Sequence, residues 1–297
     1  MFEGFTKTQM TANEVSINLV HGGIGPPLLL LHGYPQNHVQ WHKVAPRLAK
    51  QYTIVAPDLR GYGDSEKPPA AEGDLSVFCK RTTAQDQVQL MANLGFTSFH
   101  VVGHDRGARV AHRMALDHPD KVRTFTSLDV VPSQAAFDHM DRQLAFSWFH
   151  WHLMRQPSPF PETIIGNSIK VYLDFLLEQW CAIEGSITPE AYAEYLRCFS
   201  DSETIRATCL DYRGIELDLK HDDDDRGCKL TCPVLVLWGG NMAKRPGWQT
   251  GVRLDMLTVW RERAFDVRGK ELNCGHFLPE ELPAETTIEL LEFLSRR

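Results

Sequence analysis

Residues 99–109 read FHVVGHDRGAR, and the predicted fold depends on this stretch more than on any other. Phe99–Val102 is a short, mostly apolar run with β-branched residues, which is typical of a buried parallel strand. After Gly107, apolar residues recur at helical spacing until Pro119 ends the pattern. Between strand and helix stands Gly-x-Asp-x-Gly, with Asp105 at its centre. The sequence therefore predicts a nucleophile elbow whose central residue is an aspartate.

An aspartate at the elbow favours one kind of chemistry. A carboxylate that attacked an ester or amide would form an anhydride, whereas attack on an alkyl carbon gives an alkyl ester on the enzyme. Halide and epoxide oxygen are suitable leaving groups for such a displacement. The N-terminus of the following helix favours the ionised carboxylate. From this motif alone, an aspartate that only caps the helix remains an equal alternative.

A second loop is expected to contribute to the same site. The apolar run Pro27–Leu31 leads into residues 32–35, HGYP. In hydrolases with an elbow, the loop after this strand and the residue after the nucleophile each supply a backbone N–H to the oxyanion hole. The expected donors are Tyr34 and Arg106, which would stabilise the tetrahedral oxyanion formed from an Asp105 ester. An ordinary tight turn explains the loop in isolation, but its position just upstream of the next strand favours function.

The elbow needs a histidine base and an acid that orients it, in the chain order nucleophile, acid, histidine. Of the 13 histidines, only His276 follows the last predicted strand, so it is the predicted base. The acid can follow the strand that ends at Leu128 or the one that ends at Trp238. The loop after Trp238 has no carboxylate before Asp255, whereas Asp129 follows Leu128 directly. By elimination, Asp129 is predicted to accept the Nδ1–H of His276.

Two arginines lie three positions apart at the start of the elbow helix. Arg106 and Arg109 therefore share a face beside Asp105. Because arginine is suited to bidentate recognition of carboxylates, the pair predicts a substrate that carries its own carboxylate. A structural alternative is that Arg109 pairs with an acid elsewhere in the chain.

Composition limits the class of protein. The 297 residues include 43% hydrophobic and 23% charged residues, as in an ordinary globular enzyme, and the net charge of -7 argues against a nucleic-acid surface. Seven cysteines, an odd number without Cys-x-x-Cys pairs, indicate reduced thiols. No signal peptide or membrane-spanning run is visible. We expect a cytoplasmic enzyme that acts on a small anionic substrate.

Strands and helices alternate through most of the chain but not through its middle. From residue 132 to about residue 225, aromatics, prolines and helical patterns dominate. This composition predicts a helical cap, residues 132–225, inserted after the sixth strand of a core formed by residues 1–131 and 226–297. The acidic run Asp222–Asp225 is interpreted as a solvated loop and not as a metal site. The last strand is predicted at Ala264–Val267.

The chain resembles the fluoroacetate dehalogenases, haloacetate-hydrolysing members of the α/β-hydrolase superfamily, over nearly its whole length. The resemblance implies the α/β-hydrolase fold, a mostly parallel central sheet flanked by helices, and hydrolysis of 2-haloacetates by a homodimer. It rests on these segments: residues 1–5, MFEGF; 32–37, HGYPQN; 58–63, DLRGYG; 103–109, GHDRGAR; 112–119, HRMALDHP; 150–151, HW; 211–213, DYR; and 275–277, GHF.

By resemblance, His150, Trp151 and Tyr212 would bind the departing halide. Three N–H or O–H donors would stabilise the charge that develops on a poor leaving group such as fluoride. Without the resemblance, all three would be interpreted as packing of the cap. His104 and Trp180 are expected to line the pocket, and packing within the cap explains Trp180 equally well.

The predicted reaction is displacement of halide by Asp105 followed by hydrolysis of the ester by water that His276 activates, and it requires no metal or organic cofactor. An epoxide hydrolase with the same three residues and cap tyrosines is the alternative enzyme. The paired arginines argue against it, because a neutral epoxide does not need them. A non-catalytic binding protein is the third possibility, and the complete set of catalytic residues argues against that.

Overall fold

A computed structural model describes residues 1–241 and 255–296, and of Gln143 only the backbone. Within these residues, eight strands form one sheet in the spatial order β1-β2-β4-β3-β5-β6-β7-β8. The strands are Thr6–Ala12 (β1), Val15–Gly23 (β2), Pro27–Leu31 (β3), Thr53–Pro57 (β4), Phe99–His104 (β5), Val122–Leu128 (β6), Val234–Gly239 (β7) and Val267–Leu272 (β8).

Strands β3 to β8 run parallel, while β1 and β2 form an antiparallel edge. All six residues of β5 are buried, and β3 is buried beyond its first residue, which explains their mostly apolar character. Parallel strands bring their carboxyl ends to the same edge of the sheet. His104 pairs with Leu128 at the ends of β5 and β6, so the next residues, Asp105 and Asp129, emerge side by side.

Helices cover both faces of the sheet. In the described part of the chain, a 3₁₀ helix at His38–Trp41 precedes the helix Ala45–Leu48, and the helix Arg106–Asp117 packs against β5 and β6. The helices outside the β6–β7 connection are Ala45–Leu48 (α1), Lys80–Asn93 (α2), Arg106–Asp117 (α3), Met256–Arg261 (α12), Leu278–Glu281 (α13) and Pro283–Leu294 (α14).

The connection between β6 and β7 is helical. It contains Ser133–Asp138 (α4), Arg142–Ser147 (α5), Phe149–Met154 (α6), Phe160–Asn167 (α7), Ile169–Trp180 (α8), Pro189–Phe199 (α9), Ser202–Arg213 (α10) and Ile215–Asp224 (α11). All of these helices lie inside the predicted cap segment 132–225, whose role as a separate domain stays a prediction. None of the helices described is long and apolar enough to cross a membrane.

The two outer strands differ most from the sequence-based expectation. β1 was not expected, because most of its residues are exposed or half-buried and give no apolar run. The last strand was predicted at Ala264–Val267, which is wrong in position: Ala264 makes an isolated bridge to Leu230, and β8 begins at Val267. β8 is likewise mostly exposed along its length, so burial does not mark it in the sequence.

The acidic run is not the solvated loop that was predicted. Asp222–Asp224 form the last turn of α11, and the carboxylate of Asp225 lies 2.5 Å from Nη2 of Arg113. The Asp222 carboxylate lies 3.8 Å from Nη1 of the same arginine. Because Arg113 belongs to α3 and is buried, these acids join the helical connection to the elbow helix.

Candidate active site

Asp105 occupies the sharp turn between β5 and α3. Its φ of 48° and ψ of -116° lie outside the regions that side-chain-bearing residues favour. A Cβ on Gly103 would stand 2.5 Å from Cα of Ala108, and one on Gly107 would stand 2.5 Å from the carbonyl oxygen of Leu31. Only glycine allows α3 to approach the sheet this closely and hold Asp105 in its strained conformation.

The Asp105 carboxylate makes no capping hydrogen bond to α3, although it precedes the helix directly. Instead, the backbone N–H of Tyr34 donates to Oδ1 at 2.9 Å. A Cβ on Gly33 would stand 2.4 Å from Cβ of Asp105, so glycine is needed for this approach. Arg106 is the first residue of α3, where a backbone N–H has no partner within the helix. Both predicted oxyanion donors therefore belong to backbone segments that adjoin the carboxylate.

His276 and Asp129 form a close pair beside Asp105. Nδ1 of His276 lies 2.5 Å from Oδ2 of Asp129, and the N–H of Gly239 donates to Oδ1 of Asp129 at 2.8 Å. The carboxylate accepts, so Nδ1 carries the proton and Nε2 is free to act as a base. Nε2 lies 3.9 Å from Oδ2 of Asp105, beyond hydrogen-bond length. This geometry suits a base that acts on water next to Asp105.

The charges of these groups suit a nucleophile and a base. Burial alone would raise the pKa of Asp105, but the charges of His276, His104 and the two arginines outweigh burial and lower it. Burial alone would lower the pKa of His276, but the hydrogen bond and charge of Asp129, together with the charge of Asp105, raise it. Asp105 is therefore ionised at neutral pH and needs no base to become a nucleophile.

A cavity of about 180 Å³ lies above these residues. Residues of α5, α6 and α8 in the helical connection form part of its wall, and several of the lining positions carry no signal in the sequence. Its lining consists of Asp105, Arg109, Asp129, Val130, Leu144, Ser147, Trp148, His150, Trp151, Trp180 and His276.

Arg109 supplies positive charge to the cavity. Its Nη1 donates to the hydroxyl of Ser133 at 2.9 Å, and its guanidinium lies 5.0 Å from the ring centroid of Trp151. Nε is buried and has no hydrogen-bond partner within residues 1–241 and 255–296. Burial lowers the pKa of Arg109 to about 10, so it remains a cation at neutral pH. The structural alternative, in which Arg109 pairs with an acid, is absent from the described contacts.

Arg106 is held differently, by an acid that the sequence did not mark. Its Nε and Nη2 each donate to the carboxylate of Asp211 at 2.8 Å, and Nη2 also donates to the Asp211 carbonyl at 2.9 Å. Lys80 and the hydroxyl of Tyr62 bind the same carboxylate. Arg106 does not line the cavity, and only Nη1 lacks a partner among the residues described. It therefore has one donor atom left, Nη1, so in this conformation Arg106 cannot bind a substrate carboxylate through two nitrogen atoms.

Asp211, Arg106 and Lys80 form a buried ion-pair cluster, which we call the Arg106 clamp. This clamp should contribute substantially to the free energy of unfolding. In Asp211→Asn, we expect the free energy of unfolding to fall by about 3–5 kcal/mol, because Arg106 and Lys80 lose their shared buried counter-charge. Urea unfolding measures this change. The control is Glu289→Gln, which removes the exposed ion pair with Lys270 and should change stability by about 0.5 kcal/mol or less. Equal effects of the two substitutions would contradict a structural role for the clamp.

The three residues that the resemblance assigns to the halide lie together in the helical connection between β6 and β7. Rings of His150 and Trp151 have centroids 5.6 Å and 5.1 Å from that of Tyr212. His150 and Trp151 line the cavity, whereas Tyr212 does not. Nδ1 of His150 and the hydroxyl of Tyr212 are buried without hydrogen-bond partners in the described structure. Burial lowers the pKa of His150 to about 3, so its imidazole is neutral. Burial and the charge of Asp105 both raise the pKa of Tyr212, so its hydroxyl is neutral as well. These are two neutral polar groups that make no other hydrogen bond in the described structure.

His104 and Trp180 contact the base in different ways. The carbonyl of Trp180 accepts the backbone N–H of His276 at 2.8 Å, and the indole lines the cavity. His104, expected to line the pocket, does not; its ring lies 4.5 Å from that of His276, and its Nε2 donates to the His276 carbonyl at 2.8 Å. As the last residue of β5, His104 is fully buried and supports the His276 loop from beneath.

Comparison with known proteins agrees with this architecture. A family model described as alpha/beta hydrolase fold matches residues 26–241. The chain therefore belongs to the α/β-hydrolase superfamily and is a hydrolytic enzyme.

Particular relatives narrow the comparison. A fluoroacetate dehalogenase from Burkholderia sp. is 42% identical over 297 residues, which cover 99% of this chain and 95% of that protein. A soluble epoxide hydrolase from Corynebacterium sp. (strain C12) is 34% identical, with 98% and 97% covered. Among solved structures, a protein assigned to the α/β hydrolases from Nostoc sp. PCC 7120 has a TM-score of 0.95 and 48% identity over 100% of both chains.

Proposed function

We propose that this enzyme hydrolyses 2-haloacetates to glycolate and halide in two steps. Asp105 attacks the α-carbon, the carbon–halogen bond breaks, and the electron pair leaves with the halide. His276 then removes a proton from water, which attacks the ester carbonyl of Asp105 and releases glycolate. The N–H groups of Tyr34 and Arg106 stabilise the oxyanion of this second step.

One observation carries the proposal. An ionised carboxylate at the elbow lines the same cavity as a cation, Arg109, whose Nε has no partner among the described residues. A buried, unsatisfied guanidinium N–H is costly, and a substrate carboxylate would satisfy it. Arg106 contributes its remaining Nη1 and long-range charge. A haloacetate bound in this way presents its α-carbon to Asp105, because its carboxylate and its reacting carbon are adjacent.

The leaving-group side of the cavity supports the same substrate. His150 Nδ1 and the Tyr212 hydroxyl are buried polar groups without partners in the described part of the chain. With the indole of Trp151, they provide donors for the charge that develops on the halogen. Such donors act mainly in the transition state, where the halogen becomes an anion.

The test is release of halide and formation of glycolate from fluoroacetate and chloroacetate. Release from both acids supports the displacement and the halide donors. Chloride release without fluoride release supports the displacement but contradicts strong halide stabilisation by His150, Trp151 and Tyr212. If neither acid is hydrolysed, the proposed function is wrong.

Ester hydrolysis should slow in acid. His276 acts as a base only when neutral, and its pKa is raised above 6.5, so kcat should fall as pH drops through that raised pKa. In Asp129→Asn, the charge that raises this pKa is removed, so the acid limb should move to lower pH while kcat falls roughly 10³- to 10⁴-fold. Chloride release measured from about pH 5 to about pH 9 reports both effects. A limb that stays in place would contradict the role of Asp129.

An epoxide hydrolase is the second candidate. The unpartnered hydroxyl of Tyr212 and the 34% identical epoxide hydrolase favour it. A neutral epoxide, however, would leave the Arg109 guanidinium unsatisfied in the cavity. We therefore expect neutral epoxides to be poor substrates, and turnover of styrene oxide faster than chloroacetate would reverse the order of the two candidates.

Three broader expectations accompany this function. We propose that residues 132–225 form a cap domain, that the enzyme is a homodimer, and that it is cytoplasmic. The cap domain rests on the helical segment between β6 and β7. The homodimer rests on the resemblance to the fluoroacetate dehalogenases, and the cytoplasmic location rests on the composition. Size-exclusion chromatography with light scattering tests the dimer directly.

A further inference from the structure

The cavity is larger than a haloacetate requires, and a proton donor near it is not needed for haloacetate hydrolysis. A cavity of about 150 Å³ can admit a benzene ring, and this one measures about 180 Å³. Beyond Asp105 and Arg109, its lining continues over apolar side chains of Val130 and Leu144. A three-carbon acid therefore fits as well as a two-carbon one.

The polar groups on the leaving-group side of the cavity can also donate a proton, which a departing halide does not require. A halide leaves as a stable anion and needs only hydrogen bonds, whereas an alkoxide must receive a proton. The hydroxyl of Tyr212 is buried and has no partner in residues 1–241 or 255–296. Tyr212 is not itself in the cavity lining, but its ring centroid lies 5.6 Å from that of His150, which is. A phenol is far more acidic than an aliphatic alcohol, so Tyr212 can protonate an alkoxide that forms beside it. His150 Nδ1 offers a second hydrogen bond from a neutral ring.

We propose that the site also opens 2,3-epoxycarboxylates, of which glycidate is the simplest. This inference rests on the proposed function, because it uses the same nucleophile and the same carboxylate binding. Arg109 holds the carboxylate, and Asp105 attacks C2, the ring carbon that bears it. The C2–O bond breaks, its electron pair goes to the ring oxygen, and Tyr212 gives that oxygen a proton.

The second half of the reaction is unchanged. Water activated by His276 hydrolyses the Asp105 ester, the proton taken from water returns to solvent, and Tyr212 is reprotonated from solvent. The balance is one glycidate plus one water to one glycerate. No oxidant, reductant or cofactor is consumed.

This site should select carboxylated epoxides over neutral ones. Arg109 Nε is buried in the cavity wall without a partner in the described structure, and a neutral ligand leaves it so. A hydrogen bond between charged groups contributes about 1.5–3 kcal/mol. Glycidamide, which replaces the carboxylate by an amide of similar shape, should therefore have a kcat/KM lower by roughly 10- to 100-fold.

Stereochemistry tests where the nucleophile attacks. Attack at C2 inverts that carbon, so (R)-glycidate should give (S)-glycerate and (S)-glycidate should give (R)-glycerate. Attack at C3 would leave the C2 descriptor unchanged, and spontaneous hydrolysis is measured with Asp105→Asn under the same conditions. The experiment incubates each enantiomer with enzyme, separates the glycerate on a chiral column, and runs chloroacetate in parallel.

The outcomes separate this inference from the proposed function. Inverted glycerate formed by the wild type but not by Asp105→Asn supports the inference. Turnover of chloroacetate without glycidate, glycerate with retained C2, or equal turnover of glycidate and glycidamide would overturn it while leaving the haloacetate activity standing. Failure with both chloroacetate and glycidate would remove the proposed function itself.

A tyrosine substitution tests the proton donor. In Tyr212→Phe, kcat for glycidate should fall roughly 10²- to 10³-fold, and kcat for chloroacetate by only about 10-fold, because only the alkoxide needs a proton. The matched control is Tyr192→Phe, which removes a hydroxyl that binds Asp174 in the cap, away from the cavity lining. Equal losses on both substrates in Tyr212→Phe would overturn the role of Tyr212 as an acid.

Discussion

Replacement of Asp105 by asparagine should reduce haloacetate turnover by at least roughly 10⁴-fold. An amide cannot form the alkyl ester, and no other carboxylate of the described cavity except Asp129 is present to replace it. The carboxylate of Asp129 already accepts hydrogen bonds from Nδ1 of His276 and from the N–H of Gly239. Halide release under saturating chloroacetate measures the loss.

The substitution is conservative for the fold, which makes the result interpretable. Asparagine keeps an oxygen that can accept the N–H of Tyr34, now 2.9 Å from Oδ1 of Asp105. The matched control is Asp174→Asn on α8, outside the cavity lining, which should retain wild-type turnover. Asp105→Ala is added because it cannot revert to a carboxylate by deamidation. Retained activity in Asp105→Ala would contradict nucleophilic catalysis by Asp105.

The buried half of the sheet could be predicted from the sequence, and its edges could not. Strands β3 and β5 are buried on both faces, so they have mostly apolar runs that stand out from the sequence. The strand that was predicted to end at Leu128 does end there, as β6, Val122–Leu128. β1 and β8 lie at the two edges of the sheet, where polar and exposed residues carry no such pattern.

The relative placement of Asp105, Asp129 and His276 follows from order along the chain. Two of them come directly after neighbouring parallel strands, and parallel strands end at one edge. His276 follows β8, and its N–H donates to the carbonyl of Trp180 at the end of α8. Order along the sheet is thus enough to predict which side chains meet, although it does not predict their distances.

The environment of the arginines could not be predicted in the same way. Arg106 lies on α3 and Asp211 lies on α10, 105 positions further along the chain, so only the tertiary fold brings them together. Helical periodicity predicts that Arg106 and Arg109 share a face. It does not predict that Asp211 accepts hydrogen bonds from two of the three guanidinium nitrogens of Arg106. The sequence did contain Asp211 next to Tyr212, yet an acid beside an aromatic residue on a helix has no local signature of ion pairing. Packing between segments distant in sequence decides such contacts.

Replacement of His276 by glutamine should stop the reaction after its first half. We expect one equivalent of halide per enzyme and then no turnover, because displacement needs Asp105 and ester hydrolysis needs the base. Asp105 should stay ionised without His276, since the charges of Arg109 and Arg106 also lower its pKa. The measurement is a rapid-quench burst of chloride, followed by mass spectrometry of the intact protein for one added carboxymethyl group.

The trapped ester distinguishes this mechanism from direct attack by water on the α-carbon. In direct attack, His276 would activate the displacing water itself, so His276→Gln would abolish halide release and leave no adduct. Peptide mapping should locate the carboxymethyl group on Asp105, and the double variant with Asp105→Asn should give no burst. The matched control is His152→Gln, an exposed histidine on α6, which should turn over at the wild-type rate. Nε2 of His276 lies 3.9 Å from the Asp105 carboxylate, beyond hydrogen-bond length. This geometry favours a base that acts in the second step only. A burst of halide from His276→Gln would show that the first step proceeds without His276.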